Sequence, residues 1–175
     1  MKIMILSDSH SMTKQTLLNF INQHPADYYI HCGDIYMPYS PLEIDNFYNV
    51  RGNNDFADIP KDLTLTIDGL NFFICHGYLF HIDESMYDLE QYALNHKIDV
   101  VCFGHSHNPT CYKKENTLFI NPGSVTFPRG NYPHPTYCIF DTENHEVQFY
   151  DLKENQPCNP FEAKKKESFF KRFFK

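Results

Sequence analysis

In the first half of the chain, short apolar runs of strand character alternate with segments whose apolar positions recur at helical spacing. Residues 2–8 (KIMILSD) read as a strand. Residues 13–24 (TKQTLLNFINQH) read as a helix that sets Leu17, Leu18, Phe20 and Ile21 on roughly one face. Strands follow at 27–34 (DYYIHCGD) and 46–55 (NFYNVRGNND), then a hairpin over 63–77 with Asp68-Gly69 as its turn. A second amphipathic helix spans 84–97, and 98–105 (IDVVCFGH) is another strand. Beyond it the pattern turns to hairpins, one at 110–124 around Glu115-Asn116 and one at 136–153 turning near Asn144. Alternating strands and helices predict a largely parallel sheet, and the late hairpins a second, antiparallel part. The expected class is α/β (α+β): two packed sheets with helices outside, one domain over 1–155 and a separate tail over 156–175.

Composition is that of an ordinary globular chain, with 42% hydrophobic and 21% charged residues among 175. No apolar run reaches the roughly 18 residues needed to span a bilayer. The apolar start is too short for a signal peptide, so a cytoplasmic location is expected. The six cysteines lack any C-x-x-C spacing and several lie inside apolar runs, which suits buried free thiols in a reducing compartment. Charge is unevenly spread. Residues 164–175 hold six basic side chains against one acidic, so with the whole chain at -7 the preceding residues carry -12. An acidic body argues against stable nucleic-acid binding.

The polar residues show a stronger pattern. Each core strand ends, on its C-terminal side, in side chains able to bind metal: Asp8 and His10, then Asp34, then Asn53, Asn54 and Asp55, then His76, then His105 and His107. Glycines 33, 52, 77 and 104 sit beside four of these five ends, where they permit sharp turns or close backbone approach. Ligands of open α/β sheets bind beyond the carboxyl ends of the strands, so the five ends are expected to converge. Four histidines, two aspartates and an asparagine carbonyl form a nitrogen and oxygen donor set without thiolate, which suits Mn²⁺, Fe, Co, Ni or Zn²⁺. Seven ligands are too many for one catalytic ion with open positions and suit two ions about 3.5–4 Å apart.

The ordered series DSH, GD, GNND, CHG and GHSH resembles the calcineurin-like metallophosphoesterases, and within them the small YfcE-type phosphodiesterases. The segment 121–130 (NPGSVTFPRG) also resembles that subfamily. The resemblance implies a four-layer αββα sandwich of two mixed sheets. It implies one ion on Asp8, His10, Asp34 and His107, and a second on Asp34, Asn53, His76 and His105. Asp34 would then be the bridge, and the nucleophile a metal-bound hydroxide. The implied activity is metal-dependent hydrolysis of a small phosphodiester, with Mn²⁺ the usual activating ion. One departure matters: many members carry a histidine, the proposed acid for the leaving group, where this chain has Asn54. An amide cannot usefully protonate an alkoxide. The YfcE-type proteins also lack that histidine.

Asn54, Arg129 and His134 are further candidates for contact with the substrate phosphate, with specificity expected in the loops 36–41 and 127–135. His31 reads as a hydrogen-bonded core histidine. The tail residues Phe169, Phe170, Phe173 and Phe174 would share one helical face flanked by Lys171, Arg172 and Lys175, a pattern suited to an anionic membrane surface or a protein partner. Alternatives to the diesterase are a phosphomonoesterase, a nucleotide-specific diesterase, or a non-catalytic scaffold like the retromer subunit of this fold. Self-association into a homo-oligomer is left open.

Overall fold

The computed structural model describes residues 1–35, 42, 44–56 and 58–162. The run 164–175 and the loop 36–41, to which membrane or partner contact and specificity were assigned, lie outside the described residues. No helix among the described residues is long and apolar enough to cross a membrane.

Two mixed sheets form the centre. The six-stranded sheet has the order β11 (Gln156–Cys158), β10 (Glu146–Asp151), β9 (Thr136–Asp141), β1 (Lys2–Leu6), β2 (Tyr28–His31), β3 (Phe47–Asn49). Its β1, β2 and β3 are parallel, and β9, β10 and β11 antiparallel. The five-stranded sheet runs β4 (Asp62–Ile67), β5 (Leu70–Cys75), β6 (Val100–Cys102), β8 (Thr117–Asn121), β7 (Thr110–Lys114), with β5, β6 and β8 parallel. Strict alternation along the strands decides the layers. Ile3, Ile5, Ile30, Phe72, Ile74, Val100, Cys102 and Ile120 meet between the sheets. Met4, Leu6 and Tyr29 point outward onto Leu17 and Ile21 of α1 (Lys14–Gln23), which Thr13 caps by accepting from the Thr16 N–H at 3.1 Å. Phe73, Val101, Phe103 and Phe119 point outward onto Leu89 and Ala93 of α2 (Tyr87–Asn95). The result is the four-layer αββα sandwich.

Several elements differ from expectation. The third strand is three residues, Phe47–Asn49, because the chain beyond it folds back: Arg51 N–H reaches Pro60 O, and Gly52 N–H reaches the Asp55 carboxylate. The second helix starts at Tyr87, after a 3-10 turn at Tyr78–Phe80 and a run of turns. The sheet also continues past residue 155, where β11 pairs with β10. The Asp68-Gly69 turn is as expected, with both residues at positive φ (51° and 80°). All six cysteines are free.

His31, at the end of β2, is fully buried; it accepts from the Gly33 N–H at 3.3 Å and lies 3.1 Å from Ser9 Oγ. Burial pushes its pKa down to about 4, against the pull of nearby carboxylates. The unfolded chain protonates this residue near pH 6.5, so between there and pH 4 it binds a proton that the folded protein refuses. Its stabilising contribution is complete above pH 6.5 and declines by up to about 1.4 kcal/mol per pH unit as pH falls through that window. Urea unfolding at pH 7.5 and 5 should therefore show a larger loss for the native chain than for His31→Asn. Equal losses in the two proteins would refute this account.

Candidate metal centre

The parallel strands of both sheets deliver their C-terminal ends to one edge. Asp8 and His10 follow β1, Asp34 follows β2, Asn53 and Asn54 follow β3, His76 follows β5, and His105 and His107 follow β6. The chain turns sharply at each place. Asp8, His10, Asp34, His105 and His107 all hold positive φ, from 32° to 67°, a region costly for residues with a side chain. Straps between the loops hold these conformations: Asp8 N–H to Gly33 O, His10 N–H to Asp34 O and Gly104 N–H to His76 O, each 3.0 Å. The Ser124 and Thr126 hydroxyls both donate to Asp8 O at 2.8 Å.

The donor atoms converge. Asp8 Oδ1 lies 3.2 Å from His107 Nε2, 3.8 Å from His10 Nε2 and 3.9 Å from His76 Nε2. Asp34 Oδ2 lies 3.4 Å from His76 Nε2 and 3.7 Å from His10 Nε2. Two overlapping groups result, Asp8–His10–His107 and Asp8–Asp34–His76, each with its donor atoms within 4.8 Å of one another. Asp8 is common to both, while Asp34 Oδ2 also faces a histidine of each. Asn53 joins through its Oδ1, 3.2 Å from His76 Nε2. Two imidazoles have a set tautomer. His76 donates Nδ1–H to Cys32 O and His107 donates Nδ1–H to Phe127 O, both at 2.7 Å, so each turns Nε2 inward, the nitrogen that gives up its proton when a metal ion binds.

Asp8 Oδ1 is buried and makes no hydrogen bond; the His107 contact lacks the geometry for one. A buried carboxylate oxygen without a donor costs several kcal/mol unless a cation offsets it. With a donor set of imidazole nitrogens and carboxylate oxygens, this fits divalent transition-metal binding. Burial alone would raise the Asp34 carboxyl. The hydrogen bond and charge of His76, with two donations from Asn54, outweigh it and hold Asp34 well below the usual carboxylate range.

A cavity of about 500 Å³ opens above these atoms, walled by His10, Asp34, Asn53, His105 and His107 together with Asn54 and Arg129. Asn54 spends its backbone N–H and its amide on the two oxygens of Asp34, at 2.8 and 2.6 Å. Arg129 lies at the wall, its N–H bonded to His107 O at 3.1 Å. His134 does not line the cavity; it is held by the Asp151 carboxylate, which Tyr132 also donates to at 2.9 Å. His105 stands beside the donor groups rather than within them. Its Nε2 is 2.6 Å from Asp83, and its ring is 5.2 Å from that of His76. Asp83, Ser124 and Thr126 were not singled out from sequence. The segment 121–130 was the one signal pointing to the two hydroxyls.

Two stacked mixed sheets that gather carboxylates and imidazoles on one strand edge define a metallophosphoesterase fold. The calcineurin-like phosphoesterase superfamily domain matches residues 1–145, and the chain belongs to that family. A probable metallophosphoesterase of Bacillus subtilis, YsnB, is 34% identical over 161 residues, covering 89% of this chain and 94% of the relative. The phosphodiesterase YfcE of Escherichia coli K12 is 27% identical over 172 residues, covering 82% of this chain and 89% of its own. Among solved structures, a predicted phosphoesterase from Streptococcus pneumoniae superposes with a TM-score of 0.80 at 27% identity, covering 87% of this chain and 90% of that one.

The close approach of the strand ends depends on glycine. A Cβ at Gly52 would sit 2.1 Å from Asp34 Oδ1, and one at Gly104 would sit 1.9 Å from Ser7 Oγ and 2.9 Å from Asp8 Oδ2. Gly52→Ala must displace Asp34. We expect a folded protein by circular dichroism whose Mn²⁺ affinity, measured by calorimetric titration, falls at least about tenfold. An unchanged affinity would sink this assignment.

Proposed function

We propose that the chain is a metal-dependent phosphodiesterase with two ions at this centre. The observation that carries it is the pair of overlapping donor groups at the base of the cavity, with Asp34 Oδ2 facing a histidine of each. Asp8, His10, Asp34 and His107 would hold one ion, and Asp34, Asn53, His76 and His105 the other, with Mn²⁺ the first metal to test. Such ions supply positive charge to the phosphoryl oxygens and lower the pKa of a water at the centre, making it a nucleophile at neutral pH. Water adds to phosphorus, one P–O ester bond breaks, and an alcohol and a phosphomonoester leave.

The chain's own residues shape that reaction. Asn54 fixes both oxygens of Asp34 and offers no transferable proton, so substrates with a good leaving group are favoured. Arg129 places a permanent cation at the cavity wall, where a diester's phosphoryl oxygens would lie. That YfcE is named a phosphodiesterase supports diesters over monoesters.

The test is hydrolysis of a chromogenic phosphodiester beside its monoester, using chelated protein reconstituted with Mn²⁺. Diester turnover should require metal and fall at least about a hundredfold in Asp34→Ala. Arg129→Ala should raise KM about tenfold with a smaller effect on kcat. Two bound ions without cleavage of either ester would overturn the enzymatic reading and put a non-catalytic, protein-binding role in its place.

A further inference from the structure

The histidines around the centre are not held alike. His76 and His107 are each pinned through Nδ1 to a backbone carbonyl and present Nε2. His105 is pinned the other way round. Its Nε2 lies 2.6 Å from Asp83 Oδ2, so Nε2 carries the proton and Nδ1 is the ring nitrogen left with a lone pair. The rest of His105 is already tied to the centre. Its backbone N–H donates to Asp8 Oδ2 at 3.2 Å, its ring packs edge-on against His76 at 5.2 Å, and it lines the cavity. Asp83 comes from the turn at residues 81–84, ahead of α2, which contributes no donor atom to either group.

We propose that Asp83 is a positioning residue for the second ion: it fixes the tautomer and ring orientation in which His105 offers Nδ1. This rests on the two-ion reading above. A carboxylate bound to the far nitrogen of an imidazole also makes the near nitrogen a stronger donor. The hold is unlike the other two in kind. The Asp83 side chain is 62% exposed, whereas the carbonyls that orient His76 and His107 belong to the loops following β2 and β8. A carbonyl in a folded loop cannot be removed by a side-chain change; Asp83 can. The affinity of the second ion therefore depends on one side chain at the surface.

The experiment is Mn²⁺ titration of chelated full-length protein, with the bound ions counted by mass spectrometry and their magnetic coupling read by electron paramagnetic resonance. The native chain should take up two ions and show the spectrum of a coupled pair. Asp83→Ala should bind the first ion as tightly as the native chain and the second about 10- to 100-fold more weakly, with the coupled spectrum shifted to higher Mn²⁺. Asp83→Asn, whose amide oxygen can still accept from Nε2–H, should fall between the two. If Asp83→Ala binds both ions like the native chain, or loses both equally, the role of Asp83 is wrong while the two-ion reading stands. If the native chain binds a single ion, the two-ion reading fails, and the role of Asp83 with it.

Discussion

One buried oxygen organises this molecule. Asp8 Oδ1 has no hydrogen bond, sits among three imidazole nitrogens at 3.2 to 3.9 Å, and cannot reach water. Folding must place a negative charge there without the usual donors. The surroundings show how that is tolerated. The Asp8 carbonyl is tied to two hydroxyls, its neighbours are strapped by backbone bonds, and Asp8 and four residues around it accept left-handed conformations. A site so constrained leaves little of its geometry to be arranged when a cation arrives. That is the condition under which charge acts most strongly on a reacting group.

The sheets make the constraint achievable. Parallel strands put their carboxyl ends on the same edge, and two parallel blocks face one another across a shared apolar layer. Short loops from both then reach the same point. The outward faces go to α1 and α2, which leaves the edge free of helices. The layer order and the position of the centre are thus consequences of one topology.

Much of this was legible in the sequence, for a physical reason. Strands buried on both faces read as continuous apolar runs, and a ligand-type side chain just after such a run marks a strand end. Asp8, His10, Asp34, His76 and His107 could be found in this way, and the structure gathers them. What the sequence hid depends on contacts between distant segments. Asp83 lies 22 residues from His105, in turns without periodicity. His134 looked available for phosphate until its pairing with Asp151 was visible. Strand β11 carries a proline and little apolar alternation, as an edge strand can, so nothing in Gln156–Cys158 announced it. Asn54 was read as a departure from a catalytic histidine; its bonds to Asp34 show what the amide does instead.

The loop 127–135 is stitched to the centre at one end and to the sheet at the other. His107 donates to Phe127 O and accepts, through its own carbonyl, from Arg129 N–H, while Tyr132 and His134 are moored on Asp151. The cavity wall and the histidine at the centre are therefore tied together through backbone groups. Lengthening or shortening this loop would move His107 as well. A loop moored in this way can exchange its side chains at fixed length, but it cannot be remodelled without disturbing the centre.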